Sequence, residues 1–181
     1  MLPLAPMNTA RATIATATLV AAALIAGCGP SFNGRVYQGH GIQFQTGEAP
    51  GSWRRIDVNG ALLAFRDDAR EATVAVNGRC GRDAEDVPLQ ALTGHLFLEF
   101  NDRKLLEQRV VAMDGREALR TTLTAKLDGV RKAFATYVLK KDGCVYDLLY
   151  ISRPETFSAG LPQFEAFVSG FRAMTSRVAG D

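Results

Sequence analysis

Cysteine has the most specific chemistry of the residues in this 181-residue chain, and it occurs three times, as Cys28, Cys80 and Cys144. A thiolate is a nucleophile, a metal ligand and a partner in disulfide exchange, and its surroundings decide which of these roles it takes. The three cysteines lack the C-x-x-C spacing of redox motifs and form no Cys/His/Asp cluster with zinc-site spacing. An odd number in an exported protein leaves one cysteine without a disulfide partner.

Cys28 closes an apolar segment that has the features of a secretory signal. Arg11 precedes an apolar stretch, residues 12–26, that contains no acidic residue and ends in small side chains. A stretch of about 15 residues is short for a helix that spans a membrane. Residues 1–27 are therefore predicted to be a signal peptide.

The end of this segment, Ile25-Ala26-Gly27-Cys28, resembles the lipobox of bacterial lipoproteins. The resemblance implies that the Cys28 sulfur receives a diacylglyceryl group, that the peptide is cleaved before Cys28 and that the new amine is acylated. Several acyl chains anchor a protein stably, since each buried methylene contributes about 0.8 kcal/mol. The alternative is an ordinary signal peptide followed by a chance cysteine.

The stretch that follows Cys28 is rich in glycine and predicts a tether. Residues 28–41 are expected to be the lipidated cysteine and a flexible linker, and residues 42–177 a single globular domain. About 12 flexible residues have an r.m.s. reach of roughly 20 Å, which keeps the domain near its membrane. Gly29 stands where an aspartate indicates inner-membrane retention in enteric bacteria. A cell-envelope location at the outer membrane, facing the periplasm, is therefore favoured.

Export also affects the other two cysteines, because disulfides form and persist in oxidising compartments. Cys80 and Cys144 are predicted to form a structural disulfide. The bond would close a loop of about 65 residues, which makes a large entropic contribution to stability. The alternative for this pair is two reactive thiols.

Residues that could support catalysis are few. The histidines are His40, in the predicted tether, and His95, in a predicted helix. Ser158 lacks the G-x-S-x-G elbow, and the chain contains no P-loop, no G-x-G-x-x-G after a strand and no H-E-x-x-H. The acidic run at 83–86 does not match an EF-hand loop and suits the start of a helix. No catalytic residue, metal or cofactor is predicted. The alternative is an envelope hydrolase whose site is assembled only in the fold.

Trp53, Arg54 and Arg55 combine an aromatic with two basic side chains and form a candidate interface. Such residues suit an interface hot spot, although a tryptophan on an early strand also fits the core. Lys plus Arg total 21 and Asp plus Glu total 19, and this balance argues against a nucleic-acid binder. The expected partners are the membrane, through Cys28, and an envelope protein or a small ligand.

Three Asp-Gly pairs, Asp114-Gly115, Asp128-Gly129 and Asp142-Gly143, organise the C-terminal half of the chain. Asp-Gly between alternating runs predicts hairpins, because both central positions of a type I′ turn need positive φ. The turns separate four predicted strands, at 107–113, 116–127, 130–141 and 144–153. In 116–127, leucines alternate with a face that holds Arg120, Thr122, Thr124 and Lys126. This alternation predicts a polar face exposed to water.

Shorter strands are predicted upstream, together with two helices. The strands are expected at 41–45, 53–58, 61–67 and 71–77. The first helix is predicted to begin near Asp86 and to carry Leu89, Leu92, Leu96 and Phe100 on its apolar face. The second is predicted from Leu161 to Met174. Apolar stripes of this kind most often form the core.

The order of these elements, with the Asp-Gly hairpins and the closing aromatic segment "FEAFVSGFRAM", resembles the PsbP-like fold over roughly residues 41–175. That family includes photosystem II extrinsic proteins, eukaryotic Ran-binding relatives and small bacterial lipoproteins. The resemblance implies an α+β fold, an antiparallel sheet with a long C-terminal meander flanked by two helices as an α/β/α sandwich. It also implies binding or assembly rather than catalysis. We therefore expect a membrane-anchored periplasmic lipoprotein that is an interaction or ligand-binding accessory module of an envelope assembly.

Overall fold

A computed structural model describes residues 29–81 and 87–174. The strands are β1 Ser31–Phe32, β2 Val36–Gly39, β3 Ile42–Gln45, β4 Trp53–Ile56, β5 Leu63–Asp67, β6 Ala72–Cys80, β7 Asn101–Met113, β8 Arg116–Leu127, β9 Val130–Lys141, β10 Cys144–Ser152 and β11 Arg172–Met174. The helices are α1 Leu89–His95 and α2 Pro154–Ser169. Neighbouring strands pair antiparallel, so the fold belongs to the α+β class.

The described strands form two sheets. The larger has the order β4-β5-β6-β10-β9-β8-β7, and the smaller has the order β1-β2-β3-β11. The predicted meander is confirmed as β7 to β10. At its turns Asp114, Asp128 and Asp142 have φ between 50° and 52°, and each is followed by a glycine with φ between 72° and 78°. Both positions are left-handed, as a type I′ turn requires.

The two helices pack on opposite faces of the large sheet. On the face covered by α1, called here the α1 face, Leu92 packs with Val138 and Val145. On the other side, the α2 face, the aromatic rings of α2 join the main core, in which Phe164 stacks on Tyr150 with ring centroids 5.5 Å apart. The small sheet packs at one end of the α2 face, where Phe44 contacts Tyr146. The result is the layered α/β/α arrangement that the family resemblance implies.

The first helix is shorter than predicted. α1 ends at His95 instead of continuing to Phe100. The following residues form successive tight turns, in which Phe97 N donates to Gly94 O and Phe100 N donates to Phe97 O. Thr93 and Gly94 are poor helix formers, which favours an early end.

The second helix begins and ends earlier than predicted. α2 begins at Pro154, a residue well suited to a first helical turn, and continues through Pro162 to Ser169. Gly170 then lies directly against Gly47, where the backbones approach too closely for a side chain. Residues 172–174, predicted as the end of the helix, pair with β3 as β11.

The predicted flexible tether is also wrong, because β1 and β2 lie within it. Tyr37 of β2 is fully buried and stacks on Phe44 with ring centroids 4.9 Å apart. Gly34 and Gly41 have φ of 97° and 71° and form the turns, so the glycines of this stretch serve tight turns rather than flexibility. The ordered fold therefore begins before residue 42. The predicted signal peptide and Cys28 lie outside the described residues.

The face of β8 predicted to be exposed is partly covered. Arg120 is 5% exposed, because Glu165 of α2 lies directly against it, and Thr122 is 6% exposed. Toward the far end of β8 the cover is absent, and Lys126 remains accessible at 38% of its side-chain surface. A strand pattern identifies the two faces but does not say which of them a distant helix will cover.

Candidate binding surfaces

The predicted disulfide is present. Cys80 and Cys144 stand directly opposite each other in the register of β6 and β10. Their Cα atoms are 4.0 Å apart and their sulfurs 1.98 Å apart. The bond thus joins the ends of two adjacent strands at one end of the large sheet, called here the disulfide end.

Trp53, Arg54 and Arg55 do not form the predicted interface. Trp53 is only 7% exposed and packs against the rings of Phe65 and Phe167, so it belongs to the core. Strand alternation turns Arg54 the other way, and its guanidinium pairs with an exposed Asp68 carboxylate at 3.3 Å. Arg55 lies 5.6 Å from the centre of the Phe32 ring. The two arginines are accessible, but the aromatic anchor that an interface needs is buried.

The residues considered for catalysis lie on separate elements. His40 is in the turn between β2 and β3, His95 ends α1, and Ser158 is in α2; each is exposed. The large sheet stands between His95 and Ser158, because α1 and α2 pack on opposite faces. Within residues 29–81 and 87–174, no three His, Cys, Asp or Glu side chains are grouped so as to hold a metal ion. The acidic run at 83–86 lies outside the described residues.

An ionic cluster centred on the buried Arg120 joins β7, β8 and α2. Arg120, with 6% of its side chain exposed, donates from Nη2 to Glu165 Oε1 at 2.7 Å and from Nε to the same oxygen at 3.2 Å. Its Nη1 donates to Glu107 Oε2 at 2.6 Å, and Nε also reaches the Tyr137 hydroxyl at 3.1 Å. Arg109 pairs with the other oxygen of Glu107 at 2.8 Å. All three nitrogens of the Arg120 guanidinium therefore donate to an acceptor.

The surroundings of the cluster shift two pKa values. Burial opposes the charge on Arg120, but hydrogen bonds to Glu165 and Tyr137 outweigh it, so the guanidinium pKa lies above its usual value. Burial raises the pKa of Tyr137, and the hydrogen bond from Arg120 offsets part of that rise. Both groups keep their ordinary charge at neutral pH. The cluster is suited to holding elements together rather than to moving protons.

A cleft of about 340 Å³ opens beside this cluster, between α2 and the β7–β8 hairpin. Its polar lining includes Glu165, Asp114 and Arg172. Asp114 Oδ2 pairs with Lys141 Nζ at 2.7 Å and accepts a hydrogen bond from the Ala173 N–H at 2.8 Å. Both carboxylates in the cleft are therefore occupied by protein donors, and neither is placed as a free general base.

A wider groove of about 920 Å³ lies on the α1 face, between the start of α1 and the β7–β8 hairpin. Its wall combines the apolar side chains of Pro88, Leu89 and Val110 with the polar side chains of Arg116 and Lys140. The Lys140 ammonium donates to the Val87 carbonyl oxygen at 3.0 Å, which ties β9 to the segment before α1.

A second buried charge lies on the α1 face. Asp147 of β10 is 1% exposed, and its Oδ2 accepts a hydrogen bond from Arg79 Nη1 at 2.8 Å. Its other oxygen, Oδ1, is buried and has no hydrogen-bond partner within the described chain. Burial raises the pKa of Asp147, and the Arg79 charge and hydrogen bond offset part of the rise.

Large apolar side chains are exposed together at the end of the sheet opposite the disulfide. This group, called here the apolar tip, consists of Leu98, Leu105, Leu106, Leu127 and Val130. Their exposed fractions run from 38% to 69%. Of the eight exposed large apolar side chains in the described residues, five lie here. Surface apolar residues scattered singly are ordinary, whereas a concentration of them marks a contact surface.

Strand register explains why the apolar tip is continuous with the core beneath it. Leu105 stands opposite Leu123, which stands opposite Phe134 in the next strand. The Phe134 ring is buried under Phe97 and Phe100, at centroid distances of 5.3 Å and 5.1 Å. Leu127 and Val130 face each other across the β8–β9 turn, on the same side of the sheet. Along β8 the core of the α1 face therefore extends to the surface through the buried Ala125 to Leu127, whereas on β9 Lys132 lies between Phe134 and Val130.

The comparisons with known proteins concern the fold. No family model matches the sequence, and no curated protein matches it. Among described residues, no helix is long and apolar enough to cross a membrane.

Several solved structures are similar to this chain. The PsbP protein of the cyanobacterium Synechocystis, CyanoP, aligns with TM-score 0.56 and 16% identity, over 83% of this chain and 99% of CyanoP. LpqN of Mycobacterium tuberculosis aligns with TM-score 0.52 and 12% identity, over 74% of this chain and 91% of LpqN. A Bacteroides thetaiotaomicron protein aligns with TM-score 0.54 and 10% identity, over 74% of this chain but only 46% of that protein. The chain therefore has the PsbP-like fold.

Proposed function

We propose that this chain is a lipid-anchored binding module of a bacterial cell envelope. Acyl chains on Cys28 hold it in the outer membrane, and the domain faces the periplasm, where it acts by binding rather than catalysis. The observation that carries the binding role is the apolar tip, a cluster of five exposed leucine and valine side chains at one end of the large sheet.

Two other observations support this proposal. LpqN, which shares the fold, is described as involved in cell envelope biogenesis. The disulfide between Cys80 and Cys144 suits an oxidising compartment, and it leaves Cys28 as the single cysteine available for another role.

The test of the anchor is the Cys28→Ala variant of the full-length chain, expressed in a bacterium that processes lipoproteins. We expect the unsubstituted protein in the membrane fraction after a high-salt wash, and the variant in the soluble fraction, because the variant cannot be acylated. The double variant Cys80→Ser with Cys144→Ser is the matched control, since it removes two thiols and should leave the protein in the membrane. Membrane retention of Cys28→Ala would refute the lipid anchor.

A further inference from the structure

The chain leaves the domain at the disulfide end. Ser31 of β1 stands opposite Gln38 of β2, and Pro30 lies against Gly39, next to the β2–β3 turn. Cys28 is two residues before Pro30 in the sequence, and two residues of chain span at most about 7 Å. A lipid anchor on Cys28 therefore holds the domain near the β2–β3 turn, because the chain that connects Cys28 to Pro30 is so short.

The β2–β3 turn lies close to the disulfide. Ile42, the first residue of β3, approaches Gly78, where an added Cβ would lie 3.2 Å from Ile42 Cδ1. Gly78 is two residues before Cys80 in β6. From this end β8 and β9 run the full length of the large sheet to Leu127 and Val130. Strands of 12 residues are roughly 36 Å long, so the apolar tip stands about that far from the anchored end.

The surroundings of the apolar tip are basic. The segments 98–106 and 124–132 contain five basic residues, Arg103, Lys104, Lys126, Arg131 and Lys132, and three acidic residues, Glu99, Asp102 and Asp128. Lys126 pairs with Asp102 at 2.6 Å. Lys104, Arg131 and Lys132 make no ion pair within the described part of the chain. Lys132 lies on the same face of the sheet as Leu127 and Val130, whereas Lys104, Lys126 and Arg131 lie on the opposite face of the same strand ends. Surplus positive charge on both sides of an apolar end favours a partner with the opposite pattern.

The geometry of β7 beside the apolar tip disfavours simple strand addition there. Its pairing with β8 shifts register between Asn101 and Lys104 and again between Leu105 and Glu107. Such bulges and the charged side chains beside them disrupt the straight outer edge that an added strand needs. The partner must therefore contact the side chains of the tip. A second copy is disfavoured, because tip-to-tip contact would bring together two surfaces that each carry more basic than acidic residues.

We propose that the apolar tip docks a second envelope protein, one that presents an apolar surface rimmed by carboxylates, at a point remote from the membrane that anchors this chain. This inference rests on the proposed function for the anchor. The anchored end faces the lipid and the apolar tip faces away from it, so one end contacts the membrane and the other binds the second protein.

The test places the photo-reactive residue p-benzoylphenylalanine at Leu127, in the tip, or at His40, in the turn beside the anchor, in the full-length protein in cells. Illumination is expected to link the Leu127 position to one protein, and peptide mapping should find the link beside acidic residues. The His40 position is expected to give phospholipid adducts. A lipid adduct at Leu127, a product of twice the chain mass, or no adduct would overturn the proposal.

Charge-reversal variants test whether the partner binds the basic residues near the apolar tip rather than basic residues elsewhere on the surface. In the Leu127 protein, the double change Lys104→Glu with Arg131→Glu is expected to lower the adduct yield about tenfold. Arg116→Glu, an exposed arginine of β8 at the disulfide end, is the matched control and should leave the yield within about twofold. Equal effects of the two changes, or none from the double change, would contradict a carboxylate-rimmed partner.

Fractionation of the same cells keeps the two proposals distinct. If the protein is not in the membrane fraction, the anchor fails while the Leu127 adduct still tests the tip and its partner. If the protein is in the membrane fraction and the Leu127 adduct is absent, the anchor stands and the docking proposal fails.

Discussion

The guanidinium of Arg120 donates two hydrogen bonds to one carboxylate oxygen of Glu165 and a third to Glu107. These bonds link three elements, since Glu107 belongs to β7, Arg120 to the next strand β8, and Glu165 to α2, 45 residues after Arg120. Arg120 is the buried member, whereas the two glutamates keep 48% and 40% of their side-chain surfaces exposed. Loss of a glutamate is therefore costly mainly because it leaves the buried cation incompletely paired.

Glu165→Ala tests this arrangement. We expect the free energy of unfolding to fall by about 2 kcal/mol, because a charge-assisted pair of hydrogen bonds to a buried group is lost. Glu155→Ala, an exposed change in the first turn of the same helix, should cost no more than about 0.5 kcal/mol. Urea unfolding monitored by circular dichroism measures both. Equal losses would mean that Arg120 does not depend on Glu165.

The disulfide gives a second prediction. Cys80 and Cys144 are 64 residues apart in sequence, and a cross-link closing a loop of this length contributes about 4 kcal/mol in the chain-entropy treatment. The double variant Cys80→Ser with Cys144→Ser should lose stability of that order and should be insensitive to dithiothreitol. The unsubstituted protein should lose a similar amount on reduction. Unchanged unfolding midpoints in both experiments would contradict a structural role.

The close approach of Gly47 to α2 gives a third prediction. A Cβ at Gly47 would lie 2.5 Å from the carbonyl oxygen of Ala166 and 2.9 Å from that of Phe167, both backbone atoms that cannot turn aside. Gly47→Ala should therefore cost about 3 kcal/mol, since the helix must shift. Gly51→Ala is the matched control, because no atom lies within 4 Å of its added Cβ. Thermal unfolding of both variants checks the difference, and a neutral Gly47→Ala would mean that the backbones are farther apart than described.

The pKa of Asp147 predicts how stability depends on pH. Burial raises this pKa in the folded chain above its ordinary value of 3.8, so the native state binds the proton more tightly than the unfolded state. Stability from this group is therefore largest at low pH and is lost as the pH rises through the raised pKa. Asp147→Asn should remove that component. Denaturant unfolding at a series of pH values measures it.

Asp102 is the control for this prediction, because its pKa is shifted in the opposite direction. The hydrogen bond and charge of Lys126 lower its pKa, so its contribution is present above the ordinary value of 3.8 and is lost as the pH falls. Asp102→Asn should therefore change the pH dependence in the reverse sense. If the two variants shift the profile in the same direction, the origin assigned to the Asp147 effect is wrong.

The sequence predicts the meander well because its signals are local. Each Asp-Gly turn specifies its hairpin through two residues, and the alternation in β8 is a property of that strand alone. The disulfide could be predicted from the odd cysteine count and the expected export. These features need no knowledge of what packs on the sheet.

The features that were missed depend on distant parts of the chain. β1 and β2 are short, and they are held in place by aromatic contacts such as Tyr37 with Phe44 and Phe44 with Phe171. Arg120 has the sequence pattern of a surface residue, and only the course of α2 across the sheet buries it. The apolar tip also could not be predicted from the sequence. Leu105, Leu127 and Val130 follow the same alternation as the core residues of their strands, and they are exposed only because α1 ends before it covers them.

The strand order of the large sheet also affects how the chain folds. In the described large sheet, β6 with β10 is the one pair of neighbours that do not follow each other in sequence. Every other pair there closes between consecutive strands, several of them through two-residue turns, whereas β6 and β10 must meet across the whole intervening meander. Cys80 and Cys144 stand directly opposite each other in this pair. Oxidation therefore cross-links, in its native register, the strand pair of the sheet that forms most slowly. A chain that unfolds without reduction keeps this cross-link when it refolds.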